Sequence, residues 1–538
     1  MMEDFPRIFS DLLAINGRDY ADQLAVTYGK SHLTWASLDR EISKVANMFL
    51  HLFPKGRGKN ILILLENRPE WLIAFYGSQR AGMVPTPIST RFIHSELTDI
   101  FRKSCPQGCV TSSHFCHHIV EALTKEKNRF PCIIVDEVPI SNQDILIWAD
   151  LLQNASTSFP NISVSSTDLG VQLYTSGTTG QPKAVDFTHR ALLDACNLIP
   201  EHGLELIIEG KIPEVAMLPT NHEPKFLVPT PLYHLSGFVP ALIMTAMKRQ
   251  VVFPRSLSFD PAEVARIIET ERITTVFMVP TQFRLLLDFP QLDDYDLSSV
   301  TLFSSGGARM SASMKKEILT RFPEIVLVDG YGSTENIGAA VYSFLTKNDI
   351  PKIKEGFIGK PISGVEMRIV NEKGDDIAPG EVGEAIYRSP SLMHRYHDEK
   401  KTSQAFDGSW YRTGDLFTID EEGNYYYVDR RDELIITGAE KVYPMEVEDV
   451  LRKHPHVKNA VVIGVPHPVW GQVVKAFIEP IEYQPDIDRR KFETEIQDWC
   501  EGKIASYKKP RIIEIRASIP MAEDGKILRA LLKQNTQK

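Results

Sequence analysis

The stretch that decides the fold of this chain is Leu173-Tyr-Thr-Ser-Gly-Thr-Thr-Gly-Gln-Pro-Lys183. An apolar strand here leads into a run of small and hydroxyl-bearing residues that ends at Pro182 and Lys183. Gly177 and Gly180 allow the backbone to turn sharply and to approach a ligand closely. Hydroxyl groups and successive backbone N–H groups can surround an anion, and the lysine adds a positive charge. The stretch therefore predicts a phosphate-binding loop.

A P-loop of the NTPase type and a flexible linker both fit this stretch less well. The spacing differs from G-x-x-x-x-G-K-[ST], so the loop is not that of a P-loop NTPase. A flexible Ser/Gly linker has a similar composition. The position directly after a strand and directly before Lys183 disfavours a linker.

Composition excludes several classes of protein. The chain has 538 residues, with 60 Lys+Arg against 70 Asp+Glu and a net charge of -10, so it carries no basic footprint for nucleic acid. No apolar run reaches the roughly 20 residues that span a bilayer. The first residues, MMEDFPRIF, do not form a secretory signal, and we expect a cytoplasmic protein.

The six cysteines are too few for a disulfide framework in a chain of this length. Four of them, Cys105, Cys109, Cys116 and Cys132, lie close together in the sequence and near three histidines. A metal site is one interpretation, but the paired C-x-x-C spacing of zinc sites is missing. We therefore expect these cysteines to be structural.

The order of elements predicts an α/β protein. Helical patterns at 35–50 and 71–81 alternate with short apolar runs such as 60–65, which indicates parallel-type sheets with covering helices. The polar, proline-interrupted residues 201–225 predict a surface excursion. Alternating strands from 364 to 429 indicate an antiparallel β region, and the last part of the chain is typical of a small α+β domain.

Five further motifs follow in order along the chain. They are Pro231-Leu-Tyr-His-Leu-Ser-Gly237, Asp329-Gly-Tyr-Gly-Ser-Thr-Glu335, Tyr411-Arg-Thr-Gly-Asp415, Asp429-Arg-Arg-Asp432 with the following Ile435–Pro444 segment, and Gly525-Lys-Ile-Leu-Arg529. Each is weak alone. Together with the phosphate-binding loop they resemble the adenylate-forming superfamily, which includes acyl- and aryl-CoA ligases, adenylation domains of peptide synthetases and luciferases. The stand-alone chain is most similar to an acyl-CoA ligase.

The resemblance implies a large segmented N-terminal domain, residues 1–431, that binds ATP and the acid. It also implies a small mobile C-terminal domain, residues 432–538, with a hinge at Asp432. The implied reaction is attack of a carboxylate on the α-phosphate of ATP, and the implied metal is Mg²⁺ held by Glu335. No general base is needed because the acid is already ionised at pH 7.

The resemblance also assigns roles to individual residues. Glu335, Thr334, His234 and Lys526 would act at the reacting groups, with Lys526 between the substrate carboxylate and the α-phosphate. The alternative for His234 is a half-buried histidine without a role in the reaction. The residues that would bind ATP are Thr175, Ser176, Gly177, Thr178, Thr179, Gly180, Lys183, Gly306, Gly307, Ala308, Asp329, Tyr331, Asp415 and Arg430. The acid pocket would be lined by Phe238, Phe283, Ser304, Gly332 and Gly338.

The second step implied by the resemblance transfers the acyl group to the thiol of coenzyme A. Rotation about Asp432 would withdraw Lys526 and bring in a thiol channel formed by Gly438, Ala439, Glu440 and Lys441. The family usually has glycine where this chain has Ala439, so the methyl group puts the thioester step in question. One alternative acceptor is the phosphopantetheine thiol of a carrier protein, and another alternative is a non-catalytic nucleotide-binding homologue. Fatty and aromatic acids are not distinguished by the sequence.

Overall fold

The computed structural model describes residues 6–123, 129–136, 145–175, 183–214, 223–438, 440–483, 489–521 and 527–534. Its contacts divide the chain into two compact units. The first unit comprises Met1–Ile353, Pro361–Glu366 and Arg388–Asp407; the second comprises Lys354–Lys360, Met367–Tyr387 and Gly408–Lys538. Residues 367–387 and 408–429 of the predicted antiparallel region thus belong to the same unit as the C-terminal residues, and residues 388–407 belong to the first. The predicted domains 1–431 and 432–538, with a hinge at Asp432, stay a prediction.

The first unit contains a long sheet that positions most of the candidate site. Its central strands are parallel, and an antiparallel strand closes each end. The central parallel strands are mostly buried because helices cover a parallel sheet on both faces. In spatial order the strands are Val341–Leu345, Val326–Tyr331, Leu302–Ser305, Thr275–Phe277, Lys225–Leu227, Gln250–Phe253, Leu24–Tyr28 and Ser31–Thr34.

A second sheet of the first unit has five parallel strands. In order they are Val84–Pro87, Asn60–Leu64, Gly108–Thr111, Cys132–Ile134 and Ile145–Ile147. Cys109 and Cys132 are register partners on neighbouring strands, and both are fully buried in an apolar cluster with Leu62 and Leu64. Over the described part of 105–132, no three His, Cys, Asp or Glu donor atoms lie close enough together to share a metal ion. Cys109, Cys116 and Cys132 are buried, in line with the expected structural role, whereas Cys105 is exposed.

A small three-stranded antiparallel sheet carries the end of the predicted phosphate-binding loop. Its strands are Leu169–Thr175, Lys183–Thr188 and Arg395–Tyr396, with Lys183–Thr188 in the middle. The strand Phe406–Asp407 completes the strands of this unit.

Helices cover these sheets, and several begin at a capping side chain. Thr34, Thr188 and Ser311 each accept a hydrogen bond from a backbone N–H in the first turn of the helix that follows. The α-helices of the first unit are Phe9–Asp19, Trp35–Leu52, Pro69–Arg80, His94–Ser104, Cys116–Leu123, Trp148–Leu152, His189–Ile208, Leu235–Ala246, Pro261–Glu271, Pro280–Leu287, Ala312–Arg321 and Glu399–Ala405. Short 3₁₀ helices span Leu292–Asp294 and Lys347–Lys352.

The surface excursion predicted for residues 201–225 is wrong at its start. The helix His189–Ile208 continues through Pro200, although proline removes one helical hydrogen bond. In the turns before Pro200 the side chains of Leu192, Ala195 and Cys196 are buried, and this packing outweighs the local cost of the proline.

The second unit contains two antiparallel arrangements. One has the strands Glu366–Val370, Gly383–Arg388, Trp410–Ile419, Tyr425–Arg430 and Phe357–Pro361. The other has Glu440–Val442, Ile435–Thr437, Gly471–Pro480 and Val457–His467, with Ile512–Ile515 paired in parallel to Gly471–Pro480. The α-helices are Pro444–Arg452, Arg489–Cys500 and Arg529–Gln534, and 3₁₀ turns span Arg431–Glu433 and Ser506–Lys508.

The fold class is the predicted one, with parallel sheets and covering helices followed by antiparallel β structure and a small α+β region. Among the helices that the structure describes, none is both long enough and apolar enough to cross a membrane.

Candidate active site

Four neighbouring strands of the long sheet end at the same edge, and the predicted pocket segments follow them. Phe277 is level with Ser304, and Ser305 is level with Asp329. Parallel strands present their carboxyl ends together, and ligands of open α/β sheets bind at that edge. The segments that follow these strands contain His234, Val279, Gly306–Ala308 and Gly332–Glu335, so the fold brings together residues that are far apart in sequence.

The turn at Gly306 and Gly307 is the contact point between these segments. Gly307 has a φ of +80°, a conformation that glycine adopts without steric cost. A β-carbon placed on Gly307 would lie 3.4 Å from the Ser236 Cβ and 3.7 Å from the Val279 Cγ1. A β-carbon on Gly306 would lie 3.3 Å from the Gly330 carbonyl oxygen. The turn therefore lies within van der Waals distance of the other predicted pocket segments.

Gly332 lies where two backbone segments approach each other. A β-carbon on Gly332 would lie 2.5 Å from the Gly338 carbonyl oxygen, a distance that no side chain tolerates. A β-carbon on Gly338 itself would lie 3.5 Å from the Ile199 Cδ1. The two predicted pocket glycines are thus neighbours, and the close backbone approach explains the glycine at position 332.

His234 immediately precedes the helix Leu235–Ala246 and is half-buried. Its backbone N–H bonds to the Pro231 carbonyl, and its ring lies 4.6 Å from the Tyr233 ring. The turn of the Pro231–Gly237 motif thus fixes the backbone of His234 at the edge where the strands end.

Phe238 and Phe283, two of the predicted pocket residues, have almost fully buried rings. Phe238 packs against Phe75 at 5.1 Å between ring centroids and against Trp71 at 6.0 Å. Phe283 packs edge-to-face on Phe303 at 5.4 Å. Both rings are therefore part of the aromatic core behind the edge, and their contact with an acid stays a prediction.

Asp329 forms a buried ion pair that the sequence did not reveal. Its Oδ2 lies 2.6 Å from the Lys315 Nζ, and both side chains are at most 2% exposed. Burial raises the pKa of the Asp329 carboxyl, and Lys315 opposes that effect. Lys315 lies on the buried face of the helix Ala312–Arg321, together with Ile318 and Leu319. Its helical spacing from these apolar residues is the sequence feature that could have indicated its burial.

Glu335, the predicted metal ligand, is half-buried and has a defined partner. Its Oε1 accepts a hydrogen bond of 2.6 Å from the Tyr396 hydroxyl, and its carbonyl accepts the Met393 N–H at 2.7 Å. A neutral hydroxyl leaves the negative charge of the carboxylate in place, and a hard cation such as Mg²⁺ prefers oxygen ligands of this kind. The donor set therefore fits the metal. Thr334 beside it is also half-buried.

Lys183 begins the middle strand of the three-stranded sheet, and Tyr396 lies on the neighbouring strand as the register partner of Val185. The partner of Glu335 is therefore attached to the strand that the phosphate-binding loop enters. On the same strand Asp186 accepts hydrogen bonds from Gln172 at 2.8 Å and from Arg395 at 3.1 Å. This network fixes the base of the loop. Tyr396, Asp186 and Arg395 carried no motif by which the sequence could have identified them.

The second unit brings the two predicted ribose-side residues together. Asp415 and Arg430 face each other on paired strands, and the Arg430 Nε donates to the Asp415 Oδ1 at 3.0 Å. Asp415 is 3% exposed. A carboxylate has more acceptor sites than this bond uses. Arg430 thus holds Asp415 at a defined angle.

The predicted hinge residue Asp432 is exposed in the turn Arg431–Glu433. Nearby, the Asp429 carboxylate accepts the Arg430 N–H at 2.7 Å and the Met445 N–H at 2.9 Å. Burial raises the pKa of Asp429 to about 6. The bond to Met445 joins residues on opposite sides of Asp432 in sequence.

The predicted thiol-channel residues belong to a hairpin. Its strands are Ile435–Thr437 and Glu440–Val442, and Thr437 pairs with Glu440. Gly438, Glu440 and Lys441 are exposed, and the Gly438 N–H bonds to the Trp470 carbonyl at 2.8 Å. The predicted residues Ser176, Gly177, Thr178, Thr179, Gly180, Ala439 and Lys526 lie outside the described residues, as does the Thr175 side chain.

Comparison with known proteins agrees with this architecture. Residues 13–397 match the model of the AMP-binding enzyme family, and residues 446–526 match the AMP-binding enzyme C-terminal domain. The chain belongs to the AMP-binding enzyme family. The predicted membership of the adenylate-forming superfamily is confirmed, and with it the prediction of an enzyme.

Individual relatives are similar over nearly their whole length. The chain is 29% identical over 511 residues to a feruloyl-CoA synthase of Amycolatopsis, covering 95% of each protein. It is 28% identical over 564 residues to a long-chain-fatty-acid–CoA ligase of Bacillus subtilis, covering 99% of this chain and 95% of the relative. The crystal structure of the anthranilate CoA ligase AuaEII with anthranoyl-AMP has the same fold, with a TM-score of 0.86 at 24% identity, covering 99% and 98% of the two chains.

Proposed function

We propose that this protein activates a carboxylic acid with ATP to an acyl-adenylate and pyrophosphate, and then transfers the acyl group to coenzyme A. The observation that carries the proposal is the connection between Glu335 and the strand that begins at Lys183, through the Tyr396 hydroxyl. A carboxylate and an ammonium group are thereby held in one structural unit. These are the groups that a metal-bound triphosphate requires.

The first step joins two anions, so its barrier is electrostatic. The carboxylate oxygen attacks the α-phosphorus of ATP, a new P–O bond forms, and pyrophosphate leaves with the electrons of the broken bond. Lys183 would bind the terminal phosphates, and Lys526 would lie between the substrate carboxylate and the α-phosphate. Mg²⁺, when bound at Glu335, supplies positive charge to the triphosphate. Prepositioned charge of this kind is usually the largest contribution to such a reaction.

The family resemblance assigns the remaining nucleotide contacts to residues of several motifs. Tyr331 would pack on adenine next to the Gly306–Ala308 turn. Asp415, buried and oriented by Arg430, would accept hydrogen bonds from the ribose hydroxyls. Thr334 would bond to the α-phosphate. These roles come from the family resemblance, and the ribose role is supported by the burial of Asp415 and by its bond to Arg430.

The second step requires the thiol to reach the acyl-adenylate. Rotation about Asp432 would replace Lys526 by the hairpin of Gly438–Lys441, with domains 1–431 and 432–538 as the moving bodies. The turn Arg431–Glu433 contains no buried residue and lies between two strands, a position that suits a hinge. Rotation would also break the bond between the Asp429 carboxylate and the Met445 N–H, so this bond stabilises one of the two orientations.

Coenzyme A is the acceptor that the relatives favour, since the Amycolatopsis and Bacillus proteins are named as a CoA synthase and a CoA ligase. One of these names contains an aromatic acid and the other a long-chain fatty acid, so the two names do not point to one class of acid substrate. The alternative acceptor is a carrier-protein thiol. A non-catalytic homologue is disfavoured because Lys183, Glu335 and Asp415 are all present.

One panel tests the proposal. Pyrophosphate release is measured with fatty, benzoic and cinnamic-type acids, each with no acceptor, with coenzyme A and with a phosphopantetheinylated carrier protein. We expect at least one acid to give slow release alone and rapid turnover with coenzyme A, with the acyl-CoA found by mass spectrometry. Rapid turnover with the carrier protein but not with coenzyme A would show that the acceptor is the carrier-protein thiol. No pyrophosphate release with any of these acids, in a protein that binds ATP, would contradict the proposal.

A further inference from the structure

We propose that Tyr396 is a positioning residue for metal binding: its hydroxyl holds one oxygen of the Glu335 carboxylate and thereby orients the group that would bind the divalent cation. The proposal rests on the proposed function, in which Glu335 binds the metal. Neither the predicted site nor the family resemblance assigned a role to Tyr396.

The hydrogen bond itself is short and well protected. The Tyr396 hydroxyl lies 2.6 Å from the Glu335 Oε1, within the range of charge-assisted O–H···O⁻ bonds. The tyrosine is 7% exposed, so water competes little for its hydroxyl. Among the described residues this hydroxyl is the hydrogen-bonding partner found for the Glu335 carboxylate. The bond therefore selects one orientation of the carboxylate.

Tyr396 is in turn fixed to the strand of Lys183. It is the register partner of Val185, and its backbone N–H donates to the Thr402 Oγ1 at 3.0 Å. The Thr402 hydroxyl donates back to the Tyr396 carbonyl at 3.2 Å. Both ends of the residue are thus held, and its hydroxyl has little freedom to follow a moving partner.

The backbone of Glu335 is held by the same segment. The Met393 N–H bonds to the Glu335 carbonyl at 2.7 Å, and the Ser391 hydroxyl donates to the Asn336 Oδ1 at 2.9 Å. The Ile337 N–H bonds to the Ser391 carbonyl at 3.1 Å. Hydrogen bonds from residues 391–396 therefore hold both the main chain and the side chain of Glu335. This segment sets the position of the metal ligand relative to Lys183.

The choice of a tyrosine has an electrostatic reason. A neutral donor orients the carboxylate but does not neutralise it, whereas a lysine or arginine at this place would compete with the cation. The neighbouring Arg395 is directed elsewhere: successive residues of a strand point to opposite faces, and its Nε donates to the buried Asp186 at 3.1 Å. The strand thus presents a hydroxyl to Glu335 and keeps the adjacent positive charge on its other face.

The test is the substitution Y396F, which removes only the hydroxyl. Mn²⁺ replaces Mg²⁺ as the probe, and α,β-methylene-ATP prevents adenylate formation. The dissociation constant of Mn²⁺ from the enzyme–nucleotide complex is measured by electron paramagnetic resonance. We expect it to rise about tenfold, since loss of an outer partner of a metal ligand costs about 10- to 100-fold in affinity. The control is Y76F, which removes another buried hydroxyl, bonded to Thr245 at 2.8 Å. We expect no change there.

A second variant separates this inference from the proposed function. If E335Q weakens Mn²⁺ binding and Y396F does not, Tyr396 has no positioning role although Glu335 binds the metal. If E335Q leaves Mn²⁺ affinity unchanged, the proposed role of Glu335 itself is wrong. In the double variant, Y396F should add no further loss to E335Q. Should Y396F fail to fold, Thr402→Val replaces it: a several-fold loss of Mn²⁺ affinity supports the proposal, and unchanged affinity overturns it.

Discussion

Removal of Lys315 should destabilise the first unit strongly, because it leaves Asp329 buried without its counter-charge. In the substitution Lys315→Met the side-chain volume is nearly retained, so the lost interaction dominates. The two groups are 2.6 Å apart and at most 2% exposed. Breaking a buried pair by removing one partner typically costs about 3–5 kcal/mol. We expect a loss of that size in the free energy of unfolding.

The double variant K315M/D329L supplies the comparison. Replacing both partners by apolar residues removes the uncompensated charge, and such replacements are often neutral or stabilising by about 1–4 kcal/mol. The double variant should therefore be more stable than K315M alone. A loss of stability in K315M that is recovered in the double variant indicates the loss of a charge partner, because a general packing defect would not be recovered.

Urea unfolding followed by circular dichroism measures both variants. With a slope of roughly 3 kcal/mol per molar urea, a loss of 3–5 kcal/mol moves the midpoint of the first unit down by about 1–2 M. The buried-charge reasoning is refuted if K315M shifts the midpoint by less than about 0.3 M, or if the double variant is less stable than either single variant.

Four further outcomes can be checked with standard assays. Burial lowers the pKa of His189 to about 4. On acidification the native state therefore binds this proton at a lower pH than the unfolded chain does. The free energy of unfolding should fall by up to about 3 kcal/mol as the pH drops from about 6.5 to about 4. Urea midpoints at pH 7.5, 5.5 and 4.5 should show a weaker pH dependence in His189→Gln than in the wild type, and equal slopes would contradict this. Gly332→Ala should reduce acid-dependent pyrophosphate release at least tenfold, because the new methyl group would meet the Gly338 carbonyl oxygen at 2.5 Å; unchanged release would show that the backbone yields. Lys526→Ala should abolish acyl-adenylate formation but retain thioester formation from supplied acyl-adenylate, and surviving pyrophosphate exchange would show that its assigned role is wrong. Ala439→Gly should raise the thioester step selectively, whereas an unchanged rate with coenzyme A would mean that the methyl group is accommodated.

The fold followed from the sequence where patterns are local and strong. The helix predicted at 35–50 is Trp35–Leu52, and the strand predicted at 60–65 is Asn60–Leu64. The helical residues 201–208 were missed because the polar, proline-interrupted stretch 201–225 lacks a local helical pattern, whereas the helix His189–Ile208 is stabilised by the burial of Leu192 and its neighbours. A local rule about proline does not include that tertiary contribution.

The candidate site was predictable to the extent that its chemistry is carried by motifs. Glu335, Asp415 and the Gly306–Gly307 turn lie in recognisable stretches, and the structure places each at the end of a strand or on a paired strand. Lys315 and Tyr396 were not predicted. Each acts through a partner that is distant in sequence, and only the folded chain brings the two together.

The transfer of an oxygen atom from the acid to AMP tests the central claim most directly. The acid is labelled with ¹⁸O in its carboxylate and incubated with ATP, Mg²⁺ and coenzyme A, and the nucleotide product is analysed by mass spectrometry. Attack of the carboxylate on the α-phosphorus predicts one ¹⁸O atom in each AMP formed, together with unlabelled pyrophosphate. Unlabelled AMP, or ¹⁸O in inorganic phosphate accompanied by ADP, would contradict the adenylate mechanism.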